Sequence, residues 1–496
     1  MAKNKLPQSP GFGRNKWIYS LGGIGRDLAY SLYTYFLLTF ILYTKGVTDA
    51  QFATISIIMV ICRIWDGIND PIMGGIIENT RSKFGKFKPW ILIGALTNAL
   101  VLILIYTLPL SGGKFVIAFA PLYLLWDITY TMNDIGYWSM LPSLTSEPRE
   151  RDVITSMSNL FAGLGTILAN GLIPVLTVGS MAIGNSAVIG YRVVAITIGL
   201  AFIGCQAMVC AGVREKPIPK SEGKEERLGF KQMIKIIFNN KQVLWTALIL
   251  LFVNLSGVLL TAFGTNYIYL SLGYEGSYTT LFVVFYGAAS GLSFVIYPLL
   301  TKKLKRAQIV KISFAMTIVG YLYFFASGTA FGSSKLSFYL LCAEALFIGL
   351  GYSLFYLIGA ICLSNTIEYN EYTTGERNEA LIFSIRPFMA KMSGSLQQVI
   401  IMVVYLAIGL TDITNKISEA ENLAISDPGV WTAAYKADYI AGVLSEASGG
   451  MTFALRCVMA VLPVVFMAIG YFVFMKKYTI DETEYDRILG ELKARE

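Results

Sequence analysis

The chain has 496 residues, 55% of them hydrophobic and only 15% charged, at a mean hydropathy of +0.59. That balance excludes an ordinary soluble enzyme and fits a polytopic membrane protein. The formal net charge of +8 does not mark a nucleic-acid binder, because the basic residues sit in short connections between apolar runs, the positive-inside pattern.

The first twenty residues are polar and basic with no apolar core, so no cleavable signal is expected and the first span directs insertion. A helical span needs about 20 largely apolar residues. On that basis twelve are expected, near 20–44, 52–77, 88–109, 114–142, 153–177, 190–212, 243–271, 278–301, 308–330, 337–366, 380–410 and 453–475. The basic clusters all fall on one side: Arg14 and Lys16, Arg81 to Lys88, Arg149 and Arg151, Arg214 to Lys241, Lys302 to Arg306, Arg377, and Lys476 with Lys477. The longest loop of the other side, about 411–452, is acidic. Both termini are therefore expected in the cytoplasm.

The expected organisation is a six-helix bundle over 1–213, a cytoplasmic middle loop over 214–242, a second six-helix bundle over 243–477 and a cytoplasmic tail over 478–496. This is the all-α outline of the major facilitator fold. The halves echo each other: Arg81-Ser-Lys-Phe-Gly-Lys86 after span two resembles Lys302-Lys-Leu-Lys-Arg306 after span eight.

Ionisable residues inside spans are costly and mark function. Asp66 and Asp70 in span two are four apart and stack on one helix face, with Asn69 beside them. Two carboxylates and an amide carbonyl are hard oxygen ligands suited to a small cation. Arg63, three residues before Asp66, can neutralise it. In span one, Asp27 either pairs with Arg26 or accepts from substrate hydroxyls. In span four, Asp127 and Asp134 share a face near Tyr130 and Thr131, with Trp138 four residues beyond Asp134. An acid with an aromatic one turn away suits a sugar. Lys391 places a cation in span eleven, and Glu344 in span ten has no assigned role.

Histidine is absent, so any proton coupling must use carboxylates. The six cysteines lie in apolar runs without metal-ligand spacing and read as packing residues. Without histidine or paired cysteines, no clustered nucleophile, base or metal site supports a membrane enzyme.

Several strings resemble the glycoside-pentoside-hexuronide:cation symporters, the melibiose-permease-like family of the major facilitator superfamily. They are Gly25-Arg-Asp27, Arg63-Ile-Trp-Asp-Gly-Ile-Asn-Asp-Pro-Ile-Met-Gly74, Thr80-Arg-Ser-Lys-Phe-Gly-Lys-Phe-Lys-Pro-Trp90 and Tyr130-Thr-Met-Asn-Asp134 with Trp138. Arg149-Glu-Arg151, Glu368-Tyr-Asn-Glu371 with Arg377, and Lys391 extend the match over nearly the whole chain. The resemblance implies a cation site of Asp66, Asn69, Asp70 and Thr131. It implies that Asp27 and Asp134 bind sugar hydroxyls beside Tyr130, that Trp138 stacks on the ring, and that Lys391 links the two sites. A span-five arginine that binds sugar in melibiose-type members is Asn159 here, a departure that bears on galactoside specificity. Arg63, Arg81, Lys86, Arg151 and Arg377 are expected to act in gating.

The implied function is cation-coupled symport of a sugar or glycoside by alternating access, with Na⁺ or H⁺ as coupling ion and no other cofactor. Uncoupled sugar uniport or exchange, and sodium-coupled lysolipid transport, stand as alternatives. The expected setting is the plasma membrane, as a functional monomer in the lipid bilayer with no nucleic-acid partner.

Overall fold

The computed structural model describes residues 11–145, 147–215, 238–331, 334–447 and 449–495; most of the middle loop, 216–237, lies outside the described residues. Every described regular element is helical. In the first half these are α1 (Phe12–Ser31), a π turn (Leu32–Phe36), α2 (Leu37–Thr44), α3 (Asp49–Glu78), α4 (Lys88–Thr107), α5 (Gly112–Met140), α6 (Pro148–Thr177) and α7 (Ala187–Gly212). In the second they are α8 (Lys241–Leu272), α9 (Gly276–Leu300), α10 (Arg306–Phe331), α11 (Lys335–Thr374), α12 (Glu379–Phe383) and α13 (Ile385–Ile408). There follow α14 (Leu410–Ser426), α15 (Ala433–Glu446), α16 (Gly449–Lys477) and α17 (Glu482–Arg495). Eleven described helices are long and apolar enough to cross a membrane, and the interrupted run Phe12–Thr44 completes the expected twelve.

Local chemistry sets the helix ends. Thr48 and Gln51 form a reciprocal capping box that starts α3. Proline stands in the first turn of α4 and of α6, where no intrahelical donor is lost. Left-handed Gly375 ends α11, and left-handed Gly409 ends α13.

The chain divides into two compact units. The first comprises Met1–Ile58, Trp65–Glu226 and Thr414–Tyr439; the second comprises Met59–Ile64, Arg227–Ile413 and Ile440–Glu496. The segment Thr414–Tyr439 follows span eleven in sequence and is grouped with the first unit.

In the first unit, small residues bring α1 against its neighbours, as expected where lipid supplies no hydrophobic drive between helices. A side chain at Gly25 would come within 2.9 Å of the Ala201 carbonyl, and one at Gly165 within 2.6 Å of the Ile24 carbonyl. Tyr19 and Tyr137 each donate to the other's backbone carbonyl, at 2.7 and 2.6 Å, with their rings stacked at 4.2 Å. Buried Gln206 donates to the Gly22 carbonyl at 2.8 Å, and Asn133 to that of Ile91 at 2.8 Å. These bonds fix α1, α4, α5 and α7 in register around the polar residues of α1 and α5.

The acidic stretch after span eleven is not the plain loop that its charge suggested. Ile413, Ile417, Ala420 and Ala424 recur at helical spacing and are buried, while Asp412 and Glu419 face outward. The strap formed by α14 and α15 is tied to the first unit by four backbone contacts. Ser418 accepts from Gly46, Asn415 donates to Val47, Asn422 to Thr44, and Ser186 to the Glu421 carbonyl. Fully buried Glu421 also accepts from the Ala187 amide at 2.7 Å, at the positive N-terminus of α7. Lys436 pairs with Glu421 at 3.1 Å and donates to the Asn185 carbonyl at 2.6 Å.

In the second unit, α8 is the most buried helix, and α17 docks where Arg306 meets Glu482. The expected tail is therefore a packed helix.

Candidate cation and substrate sites

Helix α3 carries Asp66, Asn69 and Asp70 on adjoining turns, and α5 faces them with Thr131. The Thr131 hydroxyl lies 3.3 Å from Asp66 Oδ1 and 3.5 Å from Asp70 Oδ1, so one hydroxyl bridges the two carboxylates. Asn69 is buried at 4% exposure, and its Nδ2 has no hydrogen-bond partner. Of the four residues that the resemblance groups, Thr131 meets both acids, and Asn69 precedes Asp70 on α3. They offer carboxylate, amide and hydroxyl oxygens, a hard donor set.

One turn further along α5, Asp134 joins a second cluster. Arg26 on α1 is buried, and its guanidinium bridges two acids, with NH1 3.0 Å from Asp134 and NH2 2.9 Å from Asp27. A carboxylate has about four lone-pair sites over its two oxygens, so an acid held by a guanidinium can also accept from hydroxyl donors. Aromatic rings enclose this group. The guanidinium lies 4.8 Å from the ring centroids of both Tyr137 and Trp138. Tyr130 stacks on Trp126 at 4.8 Å and contacts Tyr30 at 5.3 Å.

Of the two sequence readings of Asp27, the pairing with Arg26 is present, and the same guanidinium also holds Asp134. The sequence reading missed the double role of Arg26 as the organiser of both acids. The signal was present in Gly22-Gly-Ile-Gly-Arg26, whose small residues let α1 sink deep enough to bury an arginine.

The remaining candidates are more dispersed. Asn159 on α6 is exposed, Lys391 lies on α13 in the second unit, and Arg63 falls in the segment grouped with that unit. Arg81 is exposed in the turn after α3. The backbone near Lys86 packs against Glu215, whose Oε1 would stand 2.8 Å from a side chain at Gly85. Burial holds the Glu215 carboxyl above its ordinary range, countered by the charge of Lys88. Arg151 begins α6 with a buried, unpartnered Nε. Arg377 gathers Glu368, Glu371 and Glu379 at 3.0, 2.8 and 3.1 Å.

A protein-family model described as MFS/sugar transport protein matches residues 18–482. The chain belongs to this family. Family members are transporters, not enzymes, and the chain is a multi-pass membrane protein of major facilitator fold. It is 29% identical to a lactose permease of Lactobacillus delbrueckii subsp. bulgaricus, over 96% of this chain and 72% of that protein. It is 27% identical to a raffinose carrier protein of Pediococcus pentosaceus, over 79% of this chain and 62% of that one. A sodium-dependent lysophosphatidylcholine symporter of Danio rerio is 21% identical, over 94% and 86%. The fold is also that of a bacterial homolog of the human lysosomal transporter Spinster, with a TM-score of 0.62 at 14% identity, covering 96% and 99% of the two chains.

Proposed function

We propose that this protein carries a sugar or glycoside into the cell together with a monovalent cation. The observation that carries the reading is the placement of Thr131 and Asp134 one turn apart on α5. Thr131 belongs to the acid cluster on α3, and Asp134 to the Arg26 cluster on α1. Asp66, Asn69, Asp70 and Thr131 hold the cation. Asp27 and Asp134, oriented by Arg26, accept sugar hydroxyls, and Tyr130 and Trp138 supply the apolar faces that a sugar's C–H edges need.

Cation entry between Asp66 and Asp70 neutralises half-buried charge within a span and fixes α3 against α5, which sets Asp134. Each ligand then raises the affinity for the other by the same factor. At 100 mV, inside negative, one cation contributes about 2.3 kcal/mol, enough for roughly fifty-fold accumulation before any ion gradient is counted. The oxygen donors and Asn69 favour Na⁺ over a bare proton. The protein works as a monomer in the plasma membrane with both termini cytoplasmic, and the turn from Arg81 to Lys86 helps close the inner side.

Uptake of labelled galactosides, glucosides, xylosides and a glucuronide into energised vesicles, with and without Na⁺ at fixed pH, tests this. Na⁺ stimulation of one sugar is expected. Uptake that follows the pH gradient and ignores Na⁺ reassigns the ion. Binding of lysophosphatidylcholine with no sugar uptake favours the lipid reading that the Danio rerio relative raises.

A further inference from the structure

The second unit holds a buried polar group that the transport reading does not use. It lies where α10 ends and α11 begins, among α8, α10, α11 and α16. Glu344 on α11 is 1% exposed. Among the described residues it forms no ion pair, and its Oε2 has no hydrogen-bond partner. Its Oε1 lies 2.6 Å from the hydroxyl of Ser327 on α10, which is also 3.2 Å from the Phe324 carbonyl.

A hydroxyl carries one proton. If Ser327 gives it to the Phe324 carbonyl, the short contact to Glu344 needs a proton on Oε1, with Ser327 as acceptor. Both short contacts of the Ser327 hydroxyl then have a proton of their own, and only Oε2 of Glu344 is left without a partner. An ionised Glu344 would instead bury a charge against one neutral donor, which is strongly unfavourable.

The nearest cation confirms the division. Arg456 on α16, also buried, directs its Nε to the Tyr267 hydroxyl of α8 at 3.1 Å. It occupies room left by Gly328, where any side chain would collide with the guanidinium. Arg456 is close enough for its charge to act on Glu344, but it is bonded elsewhere. The other titratable groups nearby are Tyr267 and, on α11 itself, Cys342; α9 faces α11 with Tyr278 packed on Phe338.

We propose that Glu344 is a proton-binding site, neutral in this conformation, for which Arg456 is the alternative partner. Uptake of a proton leaves Arg456 on Tyr267. Release of that proton to water leaves a carboxylate that draws Arg456 off Tyr267 and across to Oε2. The site is separate from Asp66 and Asp70 and does not depend on the identity of their ion.

Infrared difference spectroscopy of the full protein in lipid, across a pH titration, tests the proposal without transport. A carbonyl band of a neutral carboxyl is expected at neutral pH and should vanish in Glu344→Gln. Ser327→Ala should keep that band but move it to higher wavenumber, because the Oε1 proton loses its acceptor. A spectrum unchanged by Glu344→Gln overturns the proposal, as does one unmoved by Ser327→Ala. Glu344→Gln copies the neutral acid in shape, so failure of that variant to fold also counts against a neutral Glu344.

Discussion

Arg26 reaches Asp134 across 3.0 Å while holding its own sequence neighbour Asp27 at 2.9 Å. One guanidinium thus sets the distance between two acids on different helices, and that spacing is what a pair of sugar hydroxyls would meet.

Replacing Arg26 with glutamine should weaken sugar binding by about tenfold or more, the loss of one charge-assisted hydrogen bond worth roughly 1.5–3 kcal/mol. Na⁺ binding at Asp66 and Asp70 should persist. Calorimetric titration of each ligand separates the two effects; equal loss of both would mean that Arg26 holds the fold rather than the sugar.

Asp70→Asn should abolish Na⁺-stimulated accumulation while sugar exchange continues, because one of the two anionic ligands is gone and Asp134 is untouched. The check is counterflow beside concentrative uptake in the same vesicles. Undiminished accumulation would exclude Asp70 from the cation site.

The strap offers an asymmetric pair of variants. Lys436→Met leaves Glu421 buried without its cation and should cost about 3–5 kcal/mol, as removal of one partner of a buried pair does. Glu421→Gln should be milder, since the amide can still accept from Ala187. Burial raises the Glu421 carboxyl above its ordinary value despite Lys436. A raised carboxylate binds protons more readily in the folded state, so the wild type should gain stability relative to Glu421→Gln as pH falls through that window. Thermal unfolding against pH measures both effects.

Lys45, just past α2, donates to the Leu108 carbonyl at 2.8 Å and is buried among Phe40 and Phe115. Burial, helped by the charge of Arg192, pushes its ammonium down from 10.5 to about 8. The unfolded chain therefore binds more protons than the native protein between those values, and stability should rise with pH across them. Lys45→Met should remove that rise, as seen in melting temperatures taken at several alkaline pH values.

Gly165→Val should push α6 off α1, because the Ile24 carbonyl lies 2.6 Å from where the new carbon would sit. Ile24 is two residues before Arg26, so sugar affinity should fall with stability. Retained sugar affinity would show that α1 can shift without disturbing Arg26.

The helices were legible because each needs an apolar length, and the expected spans 52–77 and 243–271 fall within α3 and α8. The first helix starts earlier than hydropathy allowed, at Phe12, because Asn15 donates to the carbonyls of Leu144 and Arg214 and anchors a polar first turn. The acid cluster on α3 was legible because its members are local in sequence. The link from Arg26 to Asp134 spans two helices and leaves no local spacing to read. The strap was hidden for a different reason: its acidic surface masked an apolar face with four-residue spacing, and its buried lysine and glutamate read as solvated charges. Glu344 was visible as an anomaly, but its partner Ser327 lies on a separate helix.

The strap also orders events during synthesis. The amide of Ala187 receives its carboxylate from Glu421, 234 residues later in the chain. At about 5–20 residues per second, the ribosome needs roughly ten to fifty seconds to make that interval. For that time the first bundle sits in the bilayer with α7 capped only by Ser186, the Ala187 amide without its carboxylate and the Asn185 carbonyl without its lysine. Its maturation therefore ends only when the eleventh span has been inserted, and a nascent chain halted at the middle loop would present an unfinished surface to quality control.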